Sequence, residues 1–85
     1  MNGGYAMVKL NIYNMKSFLE TVNKCSGLVH LILPDGQKVN MNKEYEFQKE
    51  LLQKHKENKG YTQFSLDIPD SKDYIHIVCC AVVDC

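Results

Sequence analysis

The residues with the most chemistry to offer are three histidines (His30, His55 and His76) and four cysteines (Cys25, Cys79, Cys80 and Cys85). The cysteines form no C-x-x-C pair, and no second Cys/His cluster completes a zinc tetrad, so no metal site is expected. Cys25 and one of the Cys79–Cys80 pair read as small apolar core filler, because unoxidised Cys is among the most buried residue types. Cys85 is expected to be exposed and open to oxidation. His30 and His76 lie in apolar runs that read as strands, where a His is more often an exposed or hydrogen-bonded residue than a base. His55 sits in Lys54-His55-Lys56 and is expected at a solvated helix end. Nothing brings Ser, His and Asp, or two carboxylates, into one pocket, so no catalytic residue is named. Gly3-Gly4 and Gly60 build neither a phosphate loop nor a dinucleotide fingerprint, and no cofactor is expected.

Charge narrows the partners. Ten lysines balance ten acidic residues and there is no Arg, so bidentate forks for phosphate are missing and the net charge is zero. A strong electrostatic grip on nucleic acid or an anionic membrane is therefore not expected. Lys49, Lys54, Lys56 and Lys59, with Tyr61 nearby, are interrupted by Glu50, Glu57 and Asn58, as on an ordinary solvated helix. No apolar run reaches the roughly 18 residues of a membrane span, and Met1-Asn2-Gly3-Gly4 lacks the features of a signal peptide. A cytoplasmic protein is expected.

The elements that would position these groups follow from periodicity. The 85 residues, 45% of them apolar, suit a single small domain over 1–85. A chain this short buries only about 60% of its unfolded surface, so self-association would help it. Val8-Lys9-Leu10-Asn11-Ile12 alternates as a half-buried strand. Met15, Phe18, Leu19, Val22 and Cys25 then fall on one helical stripe, with Asn14 as N-cap and Gly27 at the C-terminal end. Two β-rich runs around Pro34-Asp35-Gly36 read as a hairpin. A second helix runs from an Asn42 cap to Gly60, with a narrower apolar face of Tyr45, Phe47, Leu51 and Leu52. Residues 61–68 alternate as a strand. The run from Tyr74 to Val83 is dense in β-branched residues and predicts a strand buried on both faces, with a closing helix capped at Ser71 as the competing reading. The fold expected is α+β: a β-α-β-β-α-β-β open-faced sandwich, its mainly antiparallel sheet covered by helices on one face.

Phe18-Leu19-Glu20-Thr21-Val22-Asn23-Lys24 and Gly36-Gln37-Lys38-Val39-Asn40 resemble two stretches of the HPr-type phosphocarrier proteins of the sugar phosphotransferase system. These are a first helix ending in a T-x-N-K-like run and a G-K-x-V-N second hairpin strand. The element order matches over roughly residues 8–68. The resemblance implies the HPr-like fold without its chemistry. An ungapped reading puts Asn11 where the family has its phosphorylated His, Tyr13 in place of an assisting Arg, and Lys43 in place of the regulatory Ser. Glu44-Tyr45-Glu46-Phe47 replaces the apolar contact surface that follows that Ser.

The function expected is a non-catalytic, regulatory protein-binding module. Its candidate partner-binding residues are Tyr45, Phe47, Tyr74, His76 and Val78, and the partner is a protein or a second copy of the chain. Two alternatives stand: a small inhibitor of a host defence protein encoded by a phage or mobile element, of the anti-CRISPR kind, and a carrier or enzyme of the phosphotransferase system. Neighbouring prophage genes would favour the former, and sugar-transport genes the HPr-like reading.

Overall fold

The alternating run near the N-terminus forms β1 (Met7–Ile12), and Asn14 then caps α1 (Met15–Lys24) by accepting a hydrogen bond from the Ser17 amide at 3.1 Å. Two short strands, β2 (His30–Ile32) and β3 (Lys38–Asn40), close a hairpin, followed by α2 (Tyr45–Glu57), β4 (Thr62–Asp67) and α3 (Ser71–Val83). The computed structural model describes residues 7–83; Met1-Asn2-Gly3-Gly4 and Cys85 lie outside the described residues. Among the described residues the architecture is α+β, a four-stranded antiparallel sheet with three helices.

Strand order is β1-β4-β2-β3, so β4 pairs with β1 along its whole length and with β2 at His30↔Asp67 and Leu31↔Leu66. Strand alternation sends Leu10, Ile12, Leu31, Phe64 and Leu66 to the inner face. There they meet the α1 stripe of Met15, Phe18, Leu19, Val22 and Cys25, every member of which is buried. The turn behaves as its residues dictate. Asp35 Oδ1 accepts from the Gln37 amide at 3.0 Å, and Gly36 takes φ of +90°, which an L side chain resists.

Five expectations need correction. The run Tyr74–Val83 is not a strand: it is the body of α3, so the order is β-α-β-β-α-β-α. The Asp70 side chain, and not Ser71, caps it, taking the amides of Lys72 at 2.9 Å and Asp73 at 3.0 Å. Tyr74, Ile77, Val78, Cys80 and Ala81 turn to the core at helical spacing.

Asn42 does not cap α2, whose N-cap is Glu44 without a side-chain bond. Its amide instead donates to the carbonyls of Val22, Cys25 and Gly27 at 3.1, 3.2 and 3.1 Å, closing the C-terminal end of α1. Gly27 does not end α1, which stops at Lys24; it lets Asp73 come close, since a Cβ there would lie 3.2 Å from Asp73 Oδ2.

His55 is buried rather than solvated. Its Nδ1 lies 2.8 Å from Thr62 Oγ1 and its Nε2 3.3 Å from the Tyr13 carbonyl. A proton on Nε2 satisfies both contacts, since a carbonyl only accepts. Gln48, also buried, exchanges two hydrogen bonds with the Asn23 amide, at 3.0 and 2.8 Å, and donates to the Met41 carbonyl at 2.7 Å. The inner face of α2 is thus Gln48, Leu51 and His55, with Phe47 and Leu52 beside it.

Candidate protein-binding surface

The three histidines do not converge. His30 stands on the outer sheet face opposite Asp67 and Asn40, His55 is on the buried side of α2, and His76 is exposed on α3. The outer face of the sheet is largely polar. Lys9, Asn11, Gln63, Ser65, Asp67, Lys38 and Asn40 share it, and Lys38 Nζ meets Asp67 Oδ2 at 2.7 Å. At one end, Tyr61 donates to Asn11 Oδ1 at 2.9 Å and its ring tilts against Tyr13 at 5.4 Å between centroids. Among the described residues, no three His, Cys, Asp or Glu side chains are placed to hold a metal ion, and no helix is long and apolar enough to cross a membrane.

The five candidate partner-binding residues divide between two helices, and α1 packs against both of those helices. Tyr45 projects from the first turn of α2 at 59% exposure, while Phe47 is half-buried against the core. On α3, Tyr74 and Val78 also spend part of their apolar surface on the core, and His76 faces outward. The outer face of α3 carries residues that the strand reading passed over: Ile75 at 58% exposure, Cys79, and Val82 at 78%. The signal lay in their own spacing of i, i+4 and i+7.

Neither described free thiol is part of a catalytic arrangement, but the two differ sharply. Cys25 is buried, and its pKa is pushed up to about 11, first by burial and then by the carboxylates of Asp73 and Asp70. At pH 8 its thiolate fraction is then on the order of one in a thousand, whereas Cys79 is exposed. Brief alkylation at pH 8 is expected to label Cys79 and leave Cys25 intact, read by fragment mass. Equal labelling at both would contradict the buried, acid-flanked site.

No protein-family model, curated protein or solved structure matches this chain.

Proposed function

We propose that the chain is a non-catalytic protein-binding module of the cytoplasm, built on an HPr-like scaffold from which the phosphocarrier chemistry has gone. The observation carrying this reading is the residue directly ahead of α1. It is Asn14, whose side-chain oxygen is committed to the Ser17 amide. Asn11, to which the ungapped comparison points, lies inside β1 and accepts from Tyr61 and Gln63. Both are amides, whose nitrogen lone pair is delocalised into the carbonyl and cannot take a phosphoryl group as imidazole does. Lys43, ahead of α2, offers no hydroxyl, and its backbone amide is held by Asn23 Oδ1 at 2.8 Å. The order strand, helix, hairpin, helix, strand supports the scaffold reading, and the exposed side chains of α2 and α3 supply surface for a partner.

Incubation with phosphoenolpyruvate and the enzyme that charges HPr is expected to add no phosphate by intact mass. A stoichiometric, acid-labile adduct would overturn the proposal. Its binding arm is read by capturing the partner from the native cell. Tyr45→Ala or His76→Ala is expected to weaken retention with the melting temperature unchanged.

A further inference from the structure

The outward side of α3 has the pattern of a helix-pairing seam rather than of a solvated surface. Lys72, Ile75, Cys79 and Val82 are all exposed and follow one another at intervals of three, four and three residues. That is the alternation by which two helices interlock side chain into gap. An outer face of a surface helix is ordinarily polar, and here its centre is Ile75, Cys79 and Val82.

We propose that this seam receives α3 of a second copy of the chain, running antiparallel with the helix ends level. The inference is independent of the partner reading above. Full overlap centres the two-fold axis at Ile77, the midpoint of Ser71–Val83. Ile75 of each copy then faces Cys79 of the other, and Lys72 of each faces Val82 of the other. The small Cys79 leaves room for the Ile75 opposite it.

Charge selects this orientation. The last turn of α3 contains no basic residue, so its carbonyl end has no cation of its own helix to offset the dipole. Antiparallel overlap brings the Lys72 ammonium of the second copy to that end, once at each end of the pair. A parallel arrangement would set the two Lys72 side chains against each other.

A 13-residue helix is about 20 Å long, so the interface is smaller than the roughly 1,200 Å² of a stable complex. The dimer is accordingly weak, half-formed at on the order of 0.1 mM. Sedimentation equilibrium under reductant, from about 10 µM to about 1 mM, is expected to show this monomer–dimer exchange. Ile75→Lys alone and Cys79→Glu alone are each expected to be monomeric. Their equimolar mixture is expected to regain the dimer, because the new cation on one copy faces the new carboxylate on the other. Lys72→Glu is expected to weaken association about tenfold, the scale of one helix-end charge contact at each of two ends.

These sites are exposed, so the melting temperatures should stay at the parent value. If Ile75→Lys alters folding, Val82→Glu, at a more exposed position, replaces it as the test of the seam. A parent chain that is monomeric at about 1 mM would overturn the proposal, as would a dimer that survives Ile75→Lys. A mixture of the two single variants that stays monomeric would overturn the antiparallel register.

Discussion

Truncating Phe18 to Ala is expected to remove about 3–5 kcal/mol of folding stability, a large share of what a small domain possesses. Phe18 has no solvent exposure, and its ring leans on Phe64 with 5.7 Å between centroids, joining the α1 stripe to β4, one of the two inner strands of the sheet. Truncation loses the transfer energy of the ring and leaves a void that α1 and β4 cannot close without moving. Urea unfolding of parent and variant measures the difference. A loss under about 1 kcal/mol would mean that the stripe does not bear on the core.

The second large effect lies at Asp73, a buried carboxylate in the first turn of α3. It accepts from the Gly27 amide at 2.8 Å and the Ser26 amide at 3.3 Å, tying α3 to the chain leaving α1. Alanine at this position strands two amides in a site that Asp73 now fills. About 2–4 kcal/mol should be lost, since a hydrogen bond to a charged acceptor is worth about 1.5–3 kcal/mol and the two amides are only partly buried. Asp73→Asn keeps one acceptor oxygen and should lose roughly half as much.

A second readout separates this account from general loosening. Removing the Asp73 charge also removes one cause of the raised Cys25 pKa, so Cys25 should alkylate faster in Asp73→Ala under fully native conditions. Unchanged stability together with unchanged Cys25 labelling would refute both roles.

The readable parts of the fold were those where periodicity and punctuation agreed. The α1 stripe, flanked by Asn14, and the hairpin around Asp35-Gly36 carry their physics within a few residues. α3 was misread because Ile75, Cys79 and Val82 are apolar as well as Tyr74, Ile77, Val78 and Ala81, which erases the contrast that marks a helix. The β-branched residues then weigh toward a strand, although Asp70 supplies the helix cap.

The polar core of α2 was hidden for a different reason. Gln48 and His55 meet Asn23 and Tyr13 from distant parts of the chain, and Met41 and Thr62 from just beyond the two ends of α2, and the helical pattern itself announces none of these partners. The common outward face of Ile75, Cys79 and Val82 exists only in a helix, because a strand of period two would divide these residues between its two faces. Asn14 caps α1 as its spacing predicts, while Asn11, where the ungapped comparison sets the phosphosite, lies inside β1, which runs through Ile12.

The strand order also governs when the molecule can first exist. β1 has β4 as its sheet neighbour, and Met7 waits for Asp67, sixty residues later in synthesis. β2 and β3 form their hairpin early, but three-residue strands alone are too short to persist in water. Until Thr62–Asp67 leaves the ribosome, the sheet has two separated pieces, and the apolar side of α1 has no floor to rest on. The nascent chain therefore gains its tertiary structure late and nearly all at once, with β4 as the piece that locks it.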